Sequence, residues 1–237
     1  MVKKTILITG ASGGIGAELA TYFSTKDFNL ALHHNSTPIE LAETENIAHF
    51  SCDLSKESSC QKLVSDVQKK FGSLDILINN AGISTSAMSW KMEGSAWEKS
   101  IAINLSAPFY LSKYALPLMR ENKWGRIINI TSIVAQTGFI GTAAYTSSKA
   151  GLIGLTKTLS KEVARSGVTV NSVSLGYFNT GMIDLIPENL QADIKNSIPI
   201  PEFGDPNVLS STISWLLSND GYYITGQTIN LNGGLYS

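Results

Sequence analysis

The sequence predicts an α/β fold, a single domain built on a doubly wound parallel sheet of about seven strands with helices on both faces. Three observations predict it. Short apolar runs alternate with longer helical patterns along the chain. The runs are apolar almost throughout rather than at every second residue, as expected of strands buried on both faces. Finally, 237 residues that are 43% hydrophobic and 16% charged suffice for one large core, and no linker, repeat or low-complexity stretch divides them.

The strand runs come in order. Thr5–Ile8, Phe28–Leu32, Ile47–Phe50, Asp75–Ile78, Arg126–Ile130 and Val168–Val173 read as short buried strands, and Thr228–Leu231 as a seventh. Helical patterns lie between them at about 14–25, 55–71, 97–119, 143–166 and 206–218. Ser55 offers a capping side chain at one helix start, and Asp205-Pro206 combines a cap with proline at the first helical position. The stretch 176–205 differs: Gly176, Gly181, Pro187, Pro199, Pro201 and Gly204 surround an amphipathic piece from Met182 to Ile198. A long irregular excursion after a strand's carboxyl end is expected to act as a substrate lid; a surface loop without a role is the plainer alternative.

Composition excludes several classes. The formal charge of −1 argues against a nucleic-acid surface driven by bulk electrostatics. No apolar run approaches the roughly 18 to 20 residues of a membrane span. The opening MVKKTILITGASGG has a basic head, but its apolar stretch is short and lacks a cleavage pattern, so it reads as a strand rather than a signal peptide. Cys52 and Cys60 are the only cysteines and have no CxxC spacing, so a reducing, cytoplasmic setting is expected. Adjacent His33 and His34 point to opposite faces of a strand and make a poor metal site, and no metal is expected.

Five motifs carry chemistry. Thr9-Gly10-Ala11-Ser12-Gly13-Gly14-Ile15-Gly16 follows the first strand and opens a helix, where glycines admit a pyrophosphate and the helix start offers free N–H groups. Tyr145 and Lys149 stand four apart on one helix face, so the ammonium is expected to favour the phenolate and bring the phenol's pKa down toward neutrality. Alone, such a pair is a commonplace of helix surfaces. Ser132, 13 residues before Tyr145 at a strand end, is placed to hydrogen-bond a carbonyl oxygen, or is a turn residue. Asn79-Asn80-Ala81-Gly82 suits a turn that lets a flat cofactor pass, or a plain β-turn. Asn104 is a polar residue among Ile101, Ile103 and Leu105.

Taken together, in this order and spacing, these motifs resemble the short-chain dehydrogenase/reductase family over essentially the whole chain, including Asp53 after the third strand and the ending Asn230-Leu231-Asn232-Gly233-Gly234. The resemblance implies a Rossmann-type fold that binds a nicotinamide dinucleotide and moves hydride to or from a carbonyl. It implies Tyr145 as the proton donor, Lys149 as the group that tunes it and holds the nicotinamide ribose, Ser132 as the group that polarises the carbonyl, and Asn104 as support for a water leading from Lys149. It implies cofactor contacts at Gly10, Ser12, Gly13, Gly14, Ile15, Gly16, His34, Asn35, Ser36, Asp53, Leu54, Asn80, Ala81, Gly82, Tyr145, Lys149, Gly176, Phe178 and Thr180. A substrate wall is expected from Ser132, Ile133, Gln136, Phe139, Tyr145, Tyr177, Phe178, Met182 and Ile186, apolar with little charge.

Three departures from the family pattern bear on this. Leu175-Gly176 replaces the usual Pro-Gly, which is expected to leave the nicotinamide-side turn less constrained. Strand two ends Leu32-His33-His34-Asn35-Ser36 without the carboxylate that would bond the ribose hydroxyls of NAD, while the arginines that often meet a 2′-phosphate are also missing; NADP (NADPH) is favoured over NAD. Only Ser36 to Glu45 separate strands two and three, so a short helix is expected there. Within the family the chain resembles the bacterial 3-oxoacyl-[acyl-carrier-protein] reductase branch, through Glu162-Val163-Ala164 and Gly167-Val168-Thr169-Val170-Asn171. That resemblance implies a thioester substrate, an acyl-carrier protein as partner and a homotetramer packed through the two long helices. Oxidation of a hydrophobic secondary alcohol, and a non-catalytic dinucleotide-binding scaffold or sensor, are the competing readings.

Overall fold

A computed structural model describes residues 3–180, Ile183 and 187–237, with the backbone alone at Asn189. The predicted α/β architecture is observed. Seven strands form one sheet in the order β3-β2-β1-β4-β5-β6-β7, every neighbouring pair parallel. The strands are β1 (Lys4–Ile8), β2 (Phe28–His34), β3 (Ile47–Ser51), β4 (Ile76–Asn79), β5 (Gly125–Ser132), β6 (Val168–Leu175) and β7 (Thr228–Leu231). The central ones are buried on both faces, which is why their sequences lack alternation: Ile6, Leu7 and Ile8 of β1, and Ile76, Leu77 and Ile78 of β4, are all fully buried.

Helices cover both faces: α1 (Gly14–Ser24), α2 (Glu57–Phe71), α3 (Gly94–Ile101), α4 (Ala107–Glu121), the four-residue α5 (Val134–Thr137), α6 (Ala143–Val163), α7 (Glu188–Ser197) and α8 (Pro206–Leu217). One core packs α1 and α8 through Leu19, Phe23, Ile213 and Leu216 on Ile6, Ile8 and Leu32. The other packs α2 and α4 through Leu63, Val67, Leu111 and Met119 on Leu7, Leu77 and Ile127.

Several local expectations change. The segment expected as one helix over 97–119 is α3 and α4 joined by a π-turn, Ala102–Ser106. The wider turn carries Asn104 into the interior, where it is fully buried. Ser55 does not cap α2. The helix begins after Lys56, and it is the Asp53 carboxylate that accepts the Ser55 N–H at 3.0 Å. Asp205 does cap α8, accepting from Asn207 N at 2.8 Å, with Pro206 in its first turn. No helix forms between β2 and β3; an irregular crossover lays Ile39 and Leu41 against the core instead. Two apolar anchors suffice to close a short parallel crossover without a helix.

The chain runs outward from β1 to β3 and returns to place β4 beside β1. The strand order therefore reverses between β1 and β4, and a crevice opens at their carboxyl ends. Two glycines set how closely the segments approach there. Gly10 has φ +67°, and a Cβ on it would meet Ala81 Cα at 2.9 Å. A Cβ on Gly16 would overlap the Gly10 carbonyl oxygen and come within 2.7 Å of Asn80 Nδ2. Gly16→Ala is accordingly expected to destabilise the fold by about 1–3 kcal/mol, the cost of overpacking a close contact. Urea unfolding of the two proteins measures it, and an unchanged midpoint would contradict the packing described.

Candidate active site

The crevice is bounded by hydrogen bonds between its walls. Thr9 Oγ1 accepts the N–H groups of both Asn80 and Ala81 at 3.0 Å, and Asn80 Nδ2 donates to Thr9 O at 2.9 Å and Gly10 O at 3.2 Å. Asn79 donates to Asn129 Oδ1 at 2.8 Å, and Asn129 donates to Thr156 Oγ1 of α6 at 2.8 Å. This amide chain ties β4, β5 and α6 together beneath the site. Leu175 keeps its turn ordered through neighbours: Ile133 N donates to Leu175 O at 2.9 Å and Gly176 N to Leu231 O at 2.8 Å.

Above this floor lies a continuous cavity of about 1010 Å³. That is at the upper end of the ~300–1,000 Å³ usual for small-molecule sites. Toward the glycine turn it is lined by Gly10, Ser12, Gly13, Gly14, Ile15, Asn35, Ser36, Asp53, Leu54, Asn80 and Ala81. Toward the other end it is lined by Gly82, Ser132, Phe139, Tyr145, Lys149, Gly176, Tyr177, Phe178 and Thr180. The structure brings these together from β1, β2, β4, β5, β6 and α6.

Other expected residues stand elsewhere. Gly16 packs behind the glycine turn rather than facing the cavity. His34 does not line the cavity, and His33 does, because alternation along β2 sends the two imidazoles to opposite faces. Ile133 is buried outside the lining, and Gln136 is committed inward, donating to Ser174 Oγ at 3.1 Å and Asn230 Oδ1 at 2.8 Å. Met182 and Ile186 lie outside the described residues. Sequence reasoning missed Thr37, Ser84, Ile103 and Thr142, and also Asp193, Ile194 and Ser197 on one face of α7. The α7 trio adds a carboxylate to a wall expected to be apolar. Only the positions 193, 194 and 197, which share a helix face, hint at it in sequence.

Tyr145 and Lys149 sit one turn apart on α6, both buried. The Lys149 ammonium lies 5.8 Å from the centre of the Tyr145 ring and donates to Ile130 O at 2.8 Å. Asn104 Nδ2 donates to Ile83 O at 2.8 Å and Ser148 Oγ at 3.1 Å, and its Oδ1 accepts Ile83 N at 2.8 Å. A Cβ on Gly82 would meet Lys149 Nζ at 3.3 Å and Asn104 Oδ1 at 3.4 Å, so both polar groups converge on that glycine.

The electrostatics differ from the expectation. Burial raises the Tyr145 pKa above its ordinary value, while hydrogen bonding with Ser132 pulls it down. Burial also lowers Lys149 to about 8. Desolvation penalises the charged form of each group. The pair as it stands is a protonated phenol beside a weakly basic amine.

The glycine turn fits a dinucleotide. Its helix, α1, has Gly13 at the N-cap with no capping side chain, which leaves first-turn N–H groups for an anion. The family model for short chain dehydrogenases matches residues 4–191. The chain belongs to that family. It is 40% identical over 240 residues to the 3-oxoacyl-[acyl-carrier-protein] reductase FabG of Rickettsia felis, covering 99% of this chain and 98% of that one. It is 34% identical over 243 residues to the FabG of Staphylococcus epidermidis, covering 99% of this chain and 100% of the relative. Like others of its family, the chain is an NAD(P)-dependent oxidoreductase. Among the described residues no cluster of three metal-ligating side chains occurs, and no helix is long and apolar enough to cross a membrane.

The lowered Lys149 pKa has a definite sign in stability. Between about 8 and the ordinary lysine value of 10.5, the unfolded chain holds a proton that the folded chain does not. Stability therefore rises with pH across that interval. Tyr145, shifted upward, acts in the opposite sense only above the ordinary tyrosine range. The Cys52 and Cys60 thiols, pushed up by burial to about 11 and about 12, also act in the opposite sense from about pH 9. It is therefore the urea midpoint of the ligand-free protein relative to that of Lys149→Met, which shares those thiols, that is expected to climb from about pH 8 to about pH 10.

Proposed function

We propose that this protein reduces a 3-oxoacyl thioester, carried on acyl-carrier protein or coenzyme A, to the 3-hydroxyacyl product, with NADPH as the reductant. The observation that carries the reading is the meeting of Ser132, Tyr145 and Lys149 at one end of a cavity whose other end is the glycine turn. When bound, the nicotinamide supplies hydride to the carbonyl carbon. Ser132 and Tyr145 offer hydrogen-bond donors to the carbonyl oxygen, where negative charge grows as the bond is reduced. Tyr145 then gives up its hydroxyl proton to that oxygen. A phenol kept protonated by burial suits this direction, since a general acid must hold its proton until the oxygen becomes basic. Lys149 borders the phenol and, as an ammonium, stabilises the phenolate left behind. Asn104 holds the Ile83 segment beside Lys149 and supports a water through which the proton is replaced.

The preference for NADPH rests on the end of β2. Asn35, Ser36 and Thr37 line the cavity there and offer neutral hydrogen-bond donors with no carboxylate among them on that strand end. The substrate reading rests on the named relatives and on the apolar wall of Phe139, Tyr177, Phe178 and Ile183. We further infer that 176–205 is a lid: Gly204 N donates to Tyr177 O at 2.9 Å and Asn179 N to Gly204 O at 3.0 Å, pinning both ends, while α7 faces the cavity. A cytoplasmic homotetramer completes the reading. Free Cys52 and Cys60 fit a reducing compartment, and exposed Trp90, Trp97 and Phe109 by the long helices supply apolar surface for copies of the chain.

Tyr145→Phe is expected to lower the turnover of acetoacetyl-CoA by roughly 10²–10⁴-fold, the range for loss of a general acid, while still binding cofactor. Near-normal turnover would refute the proton role. Side-by-side titration is expected to show NADPH binding about tenfold or more tighter than NADH, the effect of one or two hydrogen bonds to a charged group. Equal affinities would overturn the cofactor assignment, and failure to reduce any 3-oxoacyl thioester would overturn the substrate.

A further inference from the structure

His33 is almost completely buried at the end of β2, and its ring has two partners of fixed chemistry. Gly10 N–H lies 3.3 Å from Nδ1, and Cys52 O lies 3.0 Å from Nε2. An amide nitrogen can only donate and a carbonyl oxygen can only accept. Nδ1 must therefore be bare and Nε2 must carry the proton: the neighbours select one neutral tautomer. His33 also takes the next amide of the turn, since Ala11 N donates to the His33 carbonyl at 2.8 Å. One residue thus holds the first two amides of the glycine turn to β2, and its ring ties that turn to the end of β3.

We propose that His33 is a positioning residue for the cofactor turn, and that protonation of its Nδ1 releases Gly10 and weakens dinucleotide binding. A second ring proton would point at the Gly10 N–H, replacing a hydrogen bond with two opposed donors. Gly10 cannot relax freely, because Ala81 packs against its α-carbon and its φ is +67°. The proposal rests on the cavity's being the dinucleotide site.

The groups facing His33 leave it as the one that changes. Burial holds the His33 pKa below its ordinary value, the bond to Cys52 O opposes that, and the neighbouring His34 on the same strand adds to it. From β3 and the turn after it come the Cys52 thiol, pushed up to about 11, and the Asp53 carboxylate, held below its usual range by Ser55. Neither changes charge near neutrality. The glycine turn contributes no titratable side chain. His49 stands opposite Leu32 on β3, so alternation places it on the other face of the sheet.

The test is NADP⁺ affinity against pH, each protein normalised to its own value at about pH 8. Asn in place of His33 offers Gly10 an acceptor that does not titrate; Leu offers none. Wild-type affinity is expected to fall by roughly tenfold more than that of His33→Asn on acidification to about pH 5, the effect of one lost buried hydrogen bond. The cofactor's own 2′-phosphate titrates equally in both and cancels. At pH 8 His33→Asn is expected to bind more tightly than His33→Leu, and kcat at saturating cofactor to change less than KM. Parallel pH profiles for wild type and His33→Asn, or wild-type binding that tightens on acidification, would overturn the proposal alone. Absence of NADP⁺ binding by the wild-type protein at pH 8 would overturn the reading of the cavity, and this proposal with it.

Discussion

The architecture depends on one close approach. The turn after β1 must pass against the end of β4 with no side chain at Gly10 or Gly16 to hold them apart, at the point where the strand order reverses. Gly10 against Ala81, and Gly16 against the Gly10 carbonyl, make the approach sterically possible. The Thr9 hydroxyl and the Asn80 amide then lock it by pairing with backbone that two parallel strands leave unpaired where they diverge. The crevice floor, the exposed start of α1 and the position of Gly82 beneath Lys149 all follow from that junction.

Around it, the chemistry is set by desolvation. Tyr145, Lys149 and His33 are all buried, and each is shifted toward its neutral form. Beside them the cavity wall carries the carboxylates of Asp53 and Asp193. Such a site is poised to respond to charge brought by a ligand. A nearby anion favours the charged form of Lys149, against the burial that lowers it to about 8.

The sequence by itself determined the alternation of buried strands and helices, the glycine turn, and the pairing of Tyr145 with Lys149, because each depends on local spacing or on residue type; Ser132 joined them only through the resemblance to the family. It predicted a helix between β2 and β3, a Ser55 cap and a lowered Tyr145 pKa, and tertiary contacts decided all three otherwise. Ile39 and Leu41 anchor the crossover as a loop, Asp53 takes the Ser55 amide, and burial raises the Tyr145 pKa. Only the folded chain could reveal that Asn104 enters the interior on a π-turn, that Gln136 is spent on Ser174 and Asn230, that α7 turns Asp193 and Ser197 to the cavity, and that His33 rather than His34 faces it. A strand buried on both faces has no polar alternation to announce which side a residue takes. A hydrogen bond between groups 23 residues apart, such as that of His33 with Gly10, exists only once the sheet has brought them together.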